Sequence, residues 1–188
     1  MRADWRRWAA LAPVLLVATP LRDVLEASMA LHMHLQLPLL FAGGWAASGA
    51  LARRLPPARY PLAAAAFAGC VIAWWMVPAA LDHSLVDPWF AAGKYLSWYC
   101  AGLVLGRSWH ALGAVLRMFF LANMAWMGVT AGILYAEAPT RLCVRYLQGE
   151  QLLAGAGLVA WGAAAICLTL IQAAAPVVAQ DGRGIRPG

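Results

Sequence analysis

The residues from Ala27 to Ala52 include no Lys, Arg, Asp or Glu, and this run constrains the chain more than any other feature. As a helix rising about 1.5 Å per residue, it is long enough to cross the ~30 Å hydrocarbon core of a bilayer. Inside lipid a backbone must pair its own polar groups, so a run of this kind spans as a helix. Similar apolar runs follow at 61–81, 88–106, 118–136 and 151–178. A shorter one, Trp8 to Leu21, comes first behind the basic opening M-R-A-D-W-R-R. That opening resembles a signal peptide, but V-A-T-P-L-R-D offers no clean small-x-small cleavage site, and Pro13 and Pro20 interrupt the run. It reads as an uncleaved first helix.

Composition supports the same class. Charged residues make up 12% of the chain and hydrophobic ones 63%, whereas a soluble domain carries about 25% charge. The expected fold is an all-α polytopic transmembrane bundle of about six helices. Residues 1–180 form one domain, and the glycine-rich segment 181–188 is a flexible polar tail. The turn R-R-L-P-P-A-R-Y-P ends the second span, because three prolines in a row of nine residues cannot continue a helix.

Basic residues fix the expected orientation. With six spans, 10 of the 14 Lys and Arg fall on the side of the N-terminus, and the side richer in positive charge is cytoplasmic. Both termini are therefore expected in the cytoplasm of a bacterium, with the chain multi-pass in the inner membrane. The net charge of +6 sits in short clusters between spans rather than in a stripe, which excludes nucleic acid as a partner. Cys70, Cys100, Cys143 and Cys167 form no C-x-x-C and read as unpaired thiols.

Chemistry concentrates in E-A-S-M-A-L-H-M-H-L-Q-L-P, residues 26–38. On a helix Met29, His32 and Gln36 share one face, with Glu26 a turn before them. His34 lies about 200° round from His32 at ~100° per residue, so the two imidazoles cannot serve one spot unless the helix is distorted. The orientation above brings this face, the L-D-H-S segment with Asp82 and His83, and Lys94 to the outer side. His32, Met29 and His83 form a candidate metal site, with Met33 and His34 as flanking candidates. Imidazole and thioether together suit copper(I). Glu26, Gln36 and Asp82 are positioned to orient such ligands by accepting or donating hydrogen bonds. A b-type haem held between His32 or His34 and His83 is the alternative cofactor, although these positions lie near the rim. Asp82 and Lys94 are expected to form a structural ion pair across the outer loop, with Lys94 reaching toward water. No nucleotide-binding loop, nucleophile elbow or H-E-x-x-H occurs, and the reading leans away from an enzyme.

The stretch S-M-A-L-H-M-H-L-Q-L-P-L-L resembles the H-M-x-Q-H-x-x-L-type helix of the membrane-embedded cytochrome c oxidase assembly factors. W-W-M-V-P-A-A-L-D-H-S and the next helix, ending G-R-S-W, resemble the corresponding stretch of small relatives, so the likeness runs from Glu26 to Trp109. His32 and Met33 match the H-M start. Gln36 stands where the second motif histidine would be, and His34 is out of register. The resemblance implies a non-enzymatic protein handling copper at the periplasmic face during assembly of a respiratory oxidase. Alternatives are an accessory subunit of a membrane respiratory or oxygenase complex with no metal of its own, or a haem electron carrier. The expected partners are the lipid bilayer and a membrane protein such as a respiratory complex.

Overall fold

The computed structural model describes residues 17, 20–51 and 59–184, with side chains as far as Ile171 except at 50, 51 and 168. Every regular element among them is helical. Most of the expected first span lies outside the described residues. A short helix, α1 (Leu21–Ala27), starts directly after Pro20, where the first span was expected to end.

Ser28 is extended, with φ −118° and ψ 132°, and breaks the chain between α1 and α2 (Met29–Leu31). From Met29 the helix continues to Leu51 through a widened π turn, His32–Gln36, and then α3 (Leu37–Leu51). Pro38 accounts for the widening. It has no N–H to give the carbonyl of His34, and its ring crowds that turn, so the Leu37 N–H reaches back five residues to the His32 carbonyl. Such π turns absorb strain in a helix.

The expected third span is bent. α4 (Pro61–Trp75) and α5 (Pro78–Ser84) meet at 80°. Pro78 forces the preceding residue out of helical geometry, and Val77 is extended at φ −77°, ψ 119°. The carbonyl of Met76, left over at the bend, accepts the Tyr135 hydroxyl at 2.6 Å. α6 (Pro88–Ser108) starts where the apolar run 88–106 predicts it. The Asp87 carboxylate caps the free N–H groups of Trp89 and Phe90, and Pro88 occupies the first turn. α7 (Ala114–Glu137) and α8 (Gln148–Gly184) close the chain. The helical run of α8 includes Asp181 to Gly184, expected in the tail; 185–188 lie outside the described residues.

Among the described residues two helices are long and apolar enough to cross a membrane, Ala114–Glu137 and Gln148–Ile171, and the bent pair α4–α5 is a third if counted as one span. α3 has 15 residues, and α6 carries Lys94 and Arg107 within its length.

Glycine sets two close helix crossings. A Cβ on Gly44 would collide with the Tyr99 carbonyl, and one on Gly102 with the Phe41 carbonyl, so α3 and α6 touch backbone to backbone. Gly132 and Gly155 do the same for α7 and α8, each 2.6 Å from the other's carbonyl when given a Cβ. Small residues at a helix interface are the expected solution where lipid removes the hydrophobic drive between helices. Asn123 is exposed and lines an apolar groove between α4 and α7.

Two apolar clusters result. One joins α3, α4 and α6 around Leu40, Ala68, Trp98 and Leu105. The other gathers Met29, Met33, Leu81, Tyr135, Cys143 and Tyr146 beneath the loop 138–147.

Candidate functional site

Between these clusters sits the densest polar group in the described chain. Lys94 belongs to the inward stripe of α6 with Ala91, Trp98 and Ala101, and its side chain is wholly buried. It does not reach for water as the sequence suggested. Its ammonium donates to Glu26 Oε1 at 2.9 Å, to His32 Nε2 at 2.9 Å and to Ser84 Oγ at 3.0 Å. Three donors meet three acceptors, which is the full capacity of an ammonium. The ion pair expected between Asp82 and Lys94 is made by Glu26 instead. Asp82 lies on the outer flank of α5 and accepts the backbone N–H groups of Val144 and Arg145 from the loop 138–147.

Hydrogen-bond counting fixes the tautomer of His32. Ser84 gives its own proton to the Leu81 carbonyl at 2.7 Å, so toward Lys94 it accepts. Tyr146 gives its proton to the Glu26 carbonyl at 2.9 Å. It must therefore accept from His32 Nδ1, also at 2.9 Å. The imidazole is then the neutral Nδ1–H tautomer, and its Nε2 lone pair takes a proton from Lys94. With Glu26 ionised, all three partners of Lys94 accept, and the charged ammonium supplies a proton to each.

Glu26 is the anion of the cluster. Its Oε1 accepts from Lys94 and from the Tyr95 hydroxyl, and its Oε2 from Arg22 Nε at 3.0 Å. Burial pushes this carboxyl up, yet the Lys94 charge and the three hydrogen bonds outweigh it and hold the carboxyl below its ordinary value. Arg22 is partly exposed, so water screens the second cation while Lys94 stays dry.

The other predicted site residues separate. Met29, His32 and Gln36 are all buried and Met33 nearly so, which agrees with the shared face read from their spacing. His34 turns the opposite way and bonds the Ala154 carbonyl of α8 at 2.8 Å, its ring packed on Gly157. His83 is the displaced residue. Its side chain is 59% exposed, 3.8 Å from the Asp87 carboxylate and edge-on to Phe90. On seven-residue α5, Leu81 and Ser84 face inward, which turns Asp82 and His83 out. Both ring nitrogens of His32 are engaged, and among the described residues no group of three or more His, Cys, Asp or Glu is arranged to hold a metal. All four cysteines are free. Cys143 is buried beneath the loop, and burial, with help from Asp82, pushes its thiol up to about 12.

Sequence reasoning passed over Ser84, Tyr95, Tyr146 and Arg22. Ser84 was visible in D-H-S, and Arg22 in its i, i+4 spacing to Glu26. Tyr146 gave no signal, since it reaches His32 across 114 residues. The loop that carries it is pinned at many points. Arg141 bonds the carbonyls of Tyr146 and Val144, and Gln151 joins the Leu142 N–H to the Tyr135 carbonyl.

Among the described residues, fold and site together define an all-helical chain with two or three helices long and apolar enough to cross a membrane and a self-contained ionic cluster. No family model, curated protein or solved structure matches this chain.

Proposed function

We propose that the chain is a non-enzymatic accessory protein of the bacterial inner membrane that acts by docking to a partner membrane protein, such as a respiratory complex, with no metal of its own at His32. The observation that carries this reading is the closed state of the cluster. Every ligating atom of Glu26, His32 and Ser84 is already bonded to Lys94 or to a neighbouring side chain. The bonds tie α1, the π turn, α5, α6 and the loop 138–147 into one rigid outer face, and a rigid face suits recognition without reorganisation. In this reading the chain makes six spans with both termini cytoplasmic, as the bias of 10 basic residues against 4 supports. Purification in mild detergent from native membranes tests it. A stable stoichiometric membrane partner is expected, lost when the outer face is altered at Asp82→Lys; a chain that purifies alone contradicts it.

Copper handling in oxidase assembly is the second reading. It is favoured by three buried sulphur atoms, those of Met29, Met33 and Cys143, in one cluster with Tyr146, which bonds His32. Thioether and thiolate ligands select copper(I). Stoichiometric copper in the purified protein, lost in Met29→Leu with Met33→Leu, is the result that favours this reading over the first.

A further inference from the structure

The partners of the Lys94 ammonium form an unusual set for a lysine. A histidine nitrogen, a carboxylate oxygen and a hydroxyl oxygen converge on one buried point from three separate elements, all at 2.9–3.0 Å. The imidazole nitrogen and the carboxylate oxygen are donor types that bind divalent zinc and its relatives, and the Ser84 hydroxyl is a weaker third oxygen beside them. Their supports are in place as well. A metal-binding imidazole generally donates its other ring N–H to a neighbour that fixes the tautomer, and His32 Nδ1–H does so to Tyr146. Carboxylate ligands are themselves hydrogen-bonded, and Glu26 is held by Arg22 and Tyr95.

We infer that Glu26, His32 and Ser84 form a divalent-cation site whose resident cation is the chain's own Lys94 ammonium, and that the tethered charge keeps zinc-like metals out of the native protein. The ammonium lies about 0.8 Å farther from its partners than a zinc ion would. Truncating residue 94 removes both the charge and the stem that hold the three ligands apart. It leaves a neutral imidazole with a free Nε2 lone pair beside a buried carboxylate. The competing cation, Arg22, reaches only Oε2 from the rim, and Tyr95 takes one lone pair of Oε1, so the Oε1 lone pair that Lys94 vacates is the one offered to a metal, with water completing its shell.

This inference rests on the same cluster as the docking reading but fails independently of it, because it concerns residue 94 variants and not a partner. The experiment compares wild type, Lys94→Ala and Lys94→Ala with His32→Ala, each purified in detergent, equilibrated with Zn2+ or Co2+ and desalted. Lys94→Ala is expected to retain about one metal per chain, and to show Co2+ visible bands of a low-symmetry nitrogen and oxygen site. Wild type and the double variant are expected to retain less than about a tenth of that. Bound Zn2+ should also raise the melting temperature of Lys94→Ala and leave wild type unchanged. Folded Lys94→Ala that holds no more metal than wild type overturns the inference, as does metal kept by the double variant. If Lys94→Ala is poorly recovered, purification with Zn2+ decides: recovery that needs both the metal and His32 supports the site, and recovery indifferent to Zn2+ overturns it.

Discussion

Tyr146 shows how much one side chain can organise. Its hydroxyl joins the Glu26 carbonyl to the His32 ring. Tyr146→Phe strands both a buried carbonyl and an imidazole N–H, and should lower stability by about 1–3 kcal/mol, read as a loss of melting temperature in detergent. The same geometry predicts that 15N spectra of the His32 ring show a neutral Nδ1–H tautomer. The alternative tautomer would break the chain of donors at Lys94. Glu26 carries the electrostatic half of the cluster. Glu26→Gln leaves Lys94 charged and unpaired in a dry site, a loss of about 3–5 kcal/mol. Because the Glu26 carboxyl sits below its unfolded value, its contribution is full above the ordinary carboxylate range and disappears as pH falls through the depressed value. Wild type should therefore lose melting temperature on acidification below about pH 4, and Glu26→Gln should show a shallower acid limb. Equal acid limbs would mean that Glu26 holds no charge in the folded chain.

Among the helices, the two glycine crossings make the sharpest claim. Gly44→Ala must push α3 from the Tyr99 carbonyl of α6, whereas Gly93→Ala on α6 meets nothing within 4 Å. The first should lose at least about 1–3 kcal/mol through overpacking, and the second should be neutral or gain up to about 1 kcal/mol of helix propensity. Equal melting temperatures for the two would remove the close crossing. The start of α6 at residue 88 and the Met29–His32–Gln36 face were readable from the sequence, because each expresses a local rule of helix geometry. Pro38 and Pro78 were also visible, but their consequences were not. One widens a turn so that His32 and His34 serve different neighbours, and the other bends the chain so that Ser84 enters the core while His83 leaves it. The partner of Lys94 was misassigned for a related reason. Asp82 is the nearer acid in sequence, and only the side-chain contacts between α1 and α6, Glu26 with Lys94 and Tyr95, bring Glu26 to the ammonium.

At the scale of the whole molecule, composition predicted membrane-crossing helices and two or three of the described helices are long and apolar enough, while the number of spans depends on segments that length and apolarity alone do not qualify. The six-span reading predicts that a cysteine at Trp89 is labelled by an impermeant reagent from outside intact cells, and one at His110 only after permeabilisation. Labelling of both from the same side contradicts it. The account as a whole turns on what occupies the point between Glu26, His32 and Ser84. Elemental analysis of purified wild-type protein tests this most directly: no stoichiometric transition metal is expected, because Lys94 already fills the position. About one metal ion per chain, lost on His32→Ala, would contradict the account.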